Sequence, residues 1–174
     1  THPEAAKAVA SPGLRIGKKI NVVGNDSFSL FPGQMARVIQ GHRIRTNQYL
    51  LARIYDVDSI KDKPANNEYY NGKLLVIKGT ETPFYIPPTG IEVIPIDNDP
   101  KKGYVREAVT LERLEYCILK DEDGNKNYRN GPDVVFPEPT ESFVTSPKGG
   151  YVFRAIELSP ISGIYVKVIA EYKD

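Results

Sequence analysis

Apolar residues in this chain occur in short runs that are separated by glycine, proline and Asn-Gly or Asp-Gly pairs. The runs are rich in Val, Ile, Leu and Tyr, and runs of this kind bounded by turn residues are typical of β-strands. No stretch keeps the apolar spacing of an amphipathic helix, apart from about two turns at residues 3–10. The pattern therefore predicts an all-β chain. The expected strands lie near residues 19–23, 49–56, 73–78, 115–120 and 164–170.

The turn residues themselves repeat three times along the chain. Each copy has a glycine, a second glycine seven residues later, an acidic residue two further on and a proline six after that. A repeat of roughly fifty residues indicates tandem small modules that bury apolar surface partly against one another. Aligned without gaps, the copies are Gly17/Gly24/Asp26/Pro32, Gly72/Gly79/Glu81/Pro87 and Gly124/Gly131/Asp133/Pro139.

Each position of the repeat has an expected backbone role. In the second and third copies the first glycine belongs to an Asn71-Gly72 or Asp123-Gly124 pair, which supplies the positive φ angles of a hairpin turn. The prolines are expected to end a strand at a corner, because proline fixes φ and lacks a donor. We expect the second glycines to share one role, either positive φ or close approach of a neighbouring strand. These second glycines are Gly24, Gly79 and Gly131.

The repeat divides the chain into tandem small antiparallel β-sheet modules. We expect a flexible tail over residues 1–13. A first module then covers 14–96 with an extra N-terminal half-repeat, and a second covers 97–174 with an extra C-terminal half-repeat. The two half-repeats hold apolar strands whose pairing is incomplete, and such edges recruit other strands. The assembly strands are marked by Ile20, Val22, Tyr165, Val166, Val168 and Ile169.

Two arrangements of these half-repeats stay open. In the first, the C-terminal half of one subunit completes the N-terminal half of the next, which gives a repeating heterologous contact. In the second, each half-repeat packs as extra strands on its neighbouring module, because connections are usually short.

The charge balance argues against a nucleic-acid partner. Lys and Arg number 23 against 22 Asp and Glu, so the formal net charge is +1. Three arginines, Arg37, Arg43 and Arg45, form a candidate interaction stripe, and the last two flank Ile44 and so face one side of a strand. An ordinary solvent-exposed face is the competing interpretation. No apolar run is long enough to span a membrane.

The sequence offers no catalytic constellation. His2 and His42 are the only histidines, and neither has a cysteine or a second histidine at metal-ligand spacing. The single cysteine, Cys117, rules out an internal disulfide framework and lies in an apolar run, as a buried inert thiol would. The acidic run 121–125 begins like a calcium loop but lacks its later glycine and glutamate, so a solvated hairpin is expected. We therefore predict no catalytic residue, no metal and no cofactor.

Several segments share one order of features: an apolar strand with a tyrosine, a glycine turn, a second glycine, an aromatic strand and a proline corner. They are residues 115–121, 123–126, 131–141, 79–87 and 28–34. This order resembles the repeats of the major vault protein over roughly residues 14–174. The resemblance implies small antiparallel modules that line the wall of a hollow self-assembled particle, with copies side by side. The chain carries far fewer repeats and no shoulder domain or long coiled helix, so a vault as such is not implied.

Together these features predict a non-enzymatic structural or scaffold protein that forms part of a large self-assembled shell or particle. Its expected partners are copies of itself and other structural proteins, in the cytoplasm or within a virion assembled there. Three alternatives stay open: a virion protein associated with a capsid or tail, a β-sheet adaptor that binds another protein, and a nucleic-acid-associated module that uses the arginine stripe.

Overall fold

The computed structural model describes residues 17–60 and 69–167. The predicted all-β class is confirmed for this part of the chain, which contains no α-helix. Two short 3₁₀ helices, Ile96–Asn98 and Pro100–Lys102, accompany twelve strands. In chain order the strands are β1 (His42–Arg43), β2 (Gln48–Ile54), β3 (Leu74–Lys78), β4 (Phe84–Tyr85), β5 (Ile91–Val93), β6 (Val105–Glu107), β7 (Val109–Leu111), β8 (Glu115–Lys120), β9 (Lys126–Asn130), β10 (Asp133–Val135), β11 (Ser142–Phe143) and β12 (Phe153–Arg154).

The chain forms two compact units, Thr1–Ala108 and Val109–Asp174. The sequence pattern places this division between residues 96 and 97, whereas the structure places it after β6. The reason is that β6 pairs with β2 and so belongs to the first sheet. The predicted tail at 1–13 and the predicted assembly residues Val168 and Ile169 lie outside the described residues.

In the first unit, β2 is the central strand of a four-stranded sheet. It pairs with β3 along one edge and with β5 and β6 along the other, and every pairing is antiparallel. Alternate residues of β2 point into the core, and Leu50, Ala52 and Ile54 are fully buried. Ala52 and Ile54 form a core cluster with Ile60 and Ile91. Strands β1 and β4 form a separate antiparallel pair.

The second unit repeats the first strand for strand. Here β8 is central, pairing with β9 on one edge and with β11 and β12 on the other, while β7 and β10 form the separate pair. Its core consists of Leu111, Cys117, Leu119 and Val135. Each unit is therefore a small antiparallel module, built in the same order along the chain.

Strand predictions succeed inside the modules and fail at the two half-repeats. The strands expected at 49–56, 73–78 and 115–120 are confirmed as β2, β3 and β8. The strand expected at 19–23 is wrong, and so is the described part of the one expected at 164–170, because neither segment is a strand. A strand needs a neighbour to accept and donate its backbone hydrogen bonds. Neither segment has such a neighbour among the described residues.

Candidate assembly site

In the first unit, a closed turn precedes the central strand. Gln48 N–H donates to the carbonyl of Arg45 at 2.9 Å, and Arg45 N–H donates to Oε1 of Gln48 at 3.1 Å. Gly79, directly after β3, lies against this turn and donates its N–H to the Gln48 carbonyl at 2.9 Å. A Cβ atom at Gly79 would overlap the carbonyl oxygen of Arg45. Only glycine lets the two backbones approach this closely.

The second unit contains the same contact. Glu115 N–H donates to the carbonyl of Glu112 at 3.1 Å, and Glu112 N–H donates to Oε2 of Glu115 at 2.9 Å. Gly131 donates to the Glu115 carbonyl at 2.8 Å, and a Cβ atom there would overlap the carbonyl oxygen of Glu112. The close packing of a glycine on a turn is thus a repeated joint of the module.

A third copy of the turn lies in the C-terminal half-repeat. Ser162 N–H donates to the carbonyl of Ser159 at 3.0 Å, and Ser159 N–H donates to Oγ of Ser162 at 2.8 Å. The sequence after it, Gly163-Ile164-Tyr165-Val166, occupies the place that β2 and β8 take after their turns. No described glycine lies against this third turn.

Gly24, in the N-terminal half-repeat, is a glycine without a described turn packed against it. Its φ is +104°, and a Cβ atom built on it meets no described atom within 4 Å. The expectation that Gly24, Gly79 and Gly131 share one backbone role therefore fails for Gly24. The physical reason is that no closed turn lies beside Gly24 in the described part of the chain.

The first glycines of the repeat behave alike in all three copies. Gly17, Gly72 and Gly124 have φ values of +83°, +95° and +89°, the left-handed region that hairpin turns use. None of them has a described neighbour closer than 3.9 Å to an added Cβ atom. Their role is conformational, whereas that of Gly79 and Gly131 is close contact.

The proline corners repeat with a different register from the gap-free alignment. Three four-residue turns are each closed by an N–H of the last residue that donates to the carbonyl of the first, at 3.0 to 3.1 Å. They are Phe31–Gln34, Pro88–Ile91 and Glu138–Glu141. Pro32 and Pro139 hold the second position, while Thr89 holds it in the middle turn and Pro87 precedes that turn. Pro87 is thus not equivalent to the other two prolines.

Much of the exposed apolar surface lies on the two half-repeats. In residues 17–40 the large exposed side chains include Met35 and Val38, which are 93% and 90% exposed. In residues 155–167 they include Ile161 and Tyr165, at 98% and 91%. Large exposed apolar side chains concentrated on particular segments favour an interaction surface there. Of the predicted assembly residues, Tyr165 and Val166 are exposed, and Ile20 and Val22 are half-buried.

One edge of the N-terminal half-repeat is already in use. Asn21 N–H donates to Oγ1 of Thr89 at 2.9 Å, and its side-chain Nδ2 donates to the Pro87 carbonyl at 2.8 Å. Lys19 lies 3.8 Å from a carboxylate oxygen of Glu92. These contacts hold residues 19–21 on the first unit and fix which edge of the segment is turned away from it.

The arginine stripe is a solvent-exposed feature. Arg37, Arg43 and Arg45 are all exposed, and Ile44, between the last two, is buried. The backbone N–H of Arg45 donates to Oε1 of Gln48 in the closed turn, so Arg45 has a structural role that requires no ligand.

Burial shifts the pKa values of three titratable groups, His42, Tyr85 and Cys117. Desolvation lowers the pKa of His42, whose ring lies 4.9 Å from that of Tyr104. Burial, together with Tyr69, raises the pKa of Tyr85 to about 12. Burial likewise raises the pKa of the Cys117 thiol. All three shifts favour the neutral form of the group, which is the opposite of an activated nucleophile.

The acidic run at 121–125 is a hairpin. Both carboxylate oxygens of Asp121 accept hydrogen bonds from Asn125, from its backbone N–H at 2.8 Å and its side-chain Nδ2 at 3.0 Å. These hydrogen bonds, led by the one from the Asn125 side chain, lower the pKa of Asp121. Within residues 17–60 and 69–167, no three or more His, Cys, Asp or Glu side chains are grouped to hold a metal ion.

Sequence reasoning missed the closed turns because it searched for fixed spacings. The distance along the chain from turn to glycine differs between the two units, so Gln48–Gly79 and Glu115–Gly131 do not align without gaps. A usable signal was present: an acceptor side chain, Gln, Glu or Ser, lies at or within two residues of the start of each of these three predicted strands.

No helix in the described part of the chain is long and apolar enough to cross a membrane. No protein-family model, no curated protein and no solved structure matches this sequence or its fold.

Proposed function

We propose that this chain is a non-enzymatic structural protein that forms part of a large self-assembled shell or particle. Its partners are copies of itself and other structural proteins, in the cytoplasm or in a virion assembled there. The vault-repeat resemblance supports a shell, because proteins of that family use tandem β modules as a wall.

One observation carries the proposal. The joint between a glycine and a closed turn is made twice within the chain, at Gly79 and Gly131, and one further glycine at this repeat position and one further closed turn each lack such a partner among the described residues. Gly24 has no turn, and the turn Ser159–Ser162 has no glycine, among the described residues. A chain in whose described part Gly24 lacks a turn and the turn Ser159–Ser162 lacks a glycine has the two surfaces that copies need in order to associate.

Molar mass as a function of concentration tests the proposal. Light scattering of the purified 174-residue chain is expected to show a mass that rises with concentration, and electron microscopy of the associated fraction is expected to show ordered particles. Deleting residues 160–174 is expected to reduce the mass to that of a monomer, because the exposed apolar segment is removed.

A monodisperse monomer at every concentration would contradict self-assembly. A monomer that instead retains a different protein would favour the adaptor function. Retention of the intact chain on nucleic acid that is lost with added salt would favour the arginine stripe of Arg37, Arg43 and Arg45 as the working surface.

A further inference from the structure

We infer that the C-terminal half-repeat of one copy completes the N-terminal half-repeat of a second copy by strand insertion. The turn Ser159–Ser162 of the donor packs on Gly24 of the acceptor, and donor residues 163–167 pair antiparallel with acceptor residues 19–23. This inference rests on the proposed function of self-assembly, for which it names the contact.

The first step is the joint itself. In both units the glycine N–H donates to the carbonyl of the last turn residue, Gln48 or Glu115, at 2.9 and 2.8 Å. The equivalent acceptor atom in the third turn is the carbonyl oxygen of Ser162, which the turn's own hydrogen bonds leave free. Gly24 has the space to receive it, because no described atom lies within 4 Å of its Cβ position.

The second step is the register that this joint imposes. In the first unit Tyr49 lies opposite Lys78, directly beside the Gln48–Gly79 bond, and the ladder continues with Leu50 opposite Ile77. The second unit repeats this register with Tyr116 opposite Asn130. When the same register is applied to the two half-repeats, it gives four cross-strand pairs between the copies: Gly163–Val23, Ile164–Val22, Tyr165–Asn21 and Val166–Ile20.

The third step concerns which side chains are covered. Ile164 and Val166 take the places of Leu50 and Ala52, both of which are fully buried. Their partners Val22 and Ile20 take the places of Ile77 and Leu75, which pack on the core of the first unit. The imposed register therefore puts apolar side chains of both copies on one face, as a strand with period two requires.

The fourth step checks the pairing register on the other edge of the inserted strand, which the joint does not determine. In the first unit β5 and β6 share that edge, with Ala52 opposite Val93 and Leu50 opposite Val105.

Two separate landmarks transfer these pairs to the N-terminal half-repeat. The turn Phe31–Gln34, matched to Pro88–Ile91, puts Ala36 opposite Val166. Gly41, which precedes its closed turn as Ala108 precedes the next, puts Val38 opposite Ile164. Both landmarks give the same register, so residues 34–40 form one continuous strand along the inserted one. Val38, now 90% exposed, becomes covered.

The acceptor edge is free in the described structure. Asn21 turns its N–H toward Thr89 of its own unit, and neighbouring residues of an extended segment turn theirs the opposite way. Ile20 and Val22 make no backbone hydrogen bond to any described residue. These are the residues that the inserted strand reaches.

Disulfide trapping tests the register. In a Cys117→Ala background, one chain carries Asn21→Cys and a second chain of different tag length carries Tyr165→Cys. This pair is a non-hydrogen-bonded one, where the side chains of antiparallel strands come closest. A mixed disulfide dimer is expected to dominate. The matched control, Val166→Cys in place of Tyr165→Cys, turns the thiol to the opposite face and is expected to trap several-fold less.

Equal trapping by the two partners, or no mixed dimer, would overturn the inference. A disulfide inside single chains of the Asn21→Cys/Tyr165→Cys double variant, without dimers, would also overturn it, because the strand would then be completing its own chain.

Glycine replacement tests the joint. Gly24→Ala is expected to weaken association about tenfold or more, because its methyl group meets the donor's turn as it would at Gly79 and Gly131. Gly17→Ala is the matched control, since it has the same positive-φ strain but open space in every copy of the repeat. Its association is expected to equal that of the wild type.

The outcomes separate the two proposals. A wild-type chain that associates while Gly24→Ala associates equally well leaves the proposed function standing and removes this contact. A wild-type chain that never associates removes both.

Discussion

At the scale of single residues, two glycines decide how the modules hold together. Gly79 and Gly131 lie against the carbonyl oxygens of Arg45 and Glu112, and the nearest atoms around them are backbone atoms together with, at Gly131, Cβ of Leu111. A backbone neighbour cannot move aside as the end of a flexible side chain can. We therefore expect these positions to be far less tolerant of a side chain than the positive-φ glycines of the turns.

Alanine at either position is the test of this expectation. Gly79→Ala or Gly131→Ala is expected to lower the free energy of unfolding by about 3 kcal/mol or more, since overpacking against fixed atoms is costly. Gly72→Ala is the control, because Gly72 lies in a hairpin turn with a φ of +95° and open space around it. Its cost is expected to be about 1 kcal/mol from backbone strain alone. Urea denaturation measures both, and equal costs would show that close approach is not the constraint.

At the scale of elements, the closed turns before β2 and β8 explain where each central strand begins. In each turn a side chain of the last residue accepts the N–H of the first, which would otherwise lack a partner. The same arrangement, with Ser162 as the acceptor, is already formed in the C-terminal half-repeat. The strand that we propose to be inserted, residues 163–167, therefore follows directly after an ordered turn.

Removing one acceptor is expected to weaken one module. Glu115→Ala leaves the Glu112 N–H without its side-chain acceptor and is expected to lower the free energy of unfolding by about 1 kcal/mol, as the loss of a capping side chain does. Glu122→Ala, in the exposed β8–β9 hairpin, is the control and is expected to change little. Thermal or urea unfolding followed by circular dichroism measures both. A loss no greater than that of the control would mean that the turn does not depend on its acceptor.

Apolar pattern predicts the central strands well because burial fixes them. Strand β2 is recognisable because its alternate residues are buried, and β8 because three consecutive apolar residues, 117–119, are buried. Strand β9 has only exposed residues, with the sequence Lys-Asn-Tyr-Arg-Asn, and exists because β8 offers it a hydrogen-bonding edge. Residues 19–23 and 164–167 show the reverse case, a strand-like sequence without a neighbour. Hydrophobicity reports burial, whereas a strand also needs an edge to pair with.

The candidate site was only half predictable for a related reason. The repeated glycines were visible as a spacing, but the atoms that press on Gly79 and Gly131 come from turns whose distance along the chain differs between the modules. Only the fold brings them together.

At the scale of the whole molecule, each unit has a core of its own. Ala52, Ile54, Ile60 and Ile91 form one cluster, and the cluster around Cys117 and Leu119 forms the other. Cys117 is fully buried, so it serves as an internal reporter on the opening of the second unit.

Separate cores predict separate stabilities. Leu119→Ala removes a fully buried side chain, at a cost of about 2–5 kcal/mol, and is expected to speed the reaction of Cys117 with a thiol reagent by about tenfold or more. Ile54→Ala, an equally buried site in the first unit, is expected to leave that rate nearly unchanged. The rate of labelling under native conditions is the measurement. Similar acceleration by both variants would mean that the two units open together.

One hydrogen bond ties the base of each module. Ala108 N–H donates to the Asn47 carbonyl at 2.8 Å, and Ala155 N–H donates to the Leu114 carbonyl at 2.7 Å. The first and last residues of each module therefore lie close together, although the first module contains more residues than the second. Lengthening a closed loop costs little free energy. We therefore expect the module to accept inserted peptide in its β2–β3 connection, which is much longer than the equivalent β8–β9 connection, without altering where the chain continues.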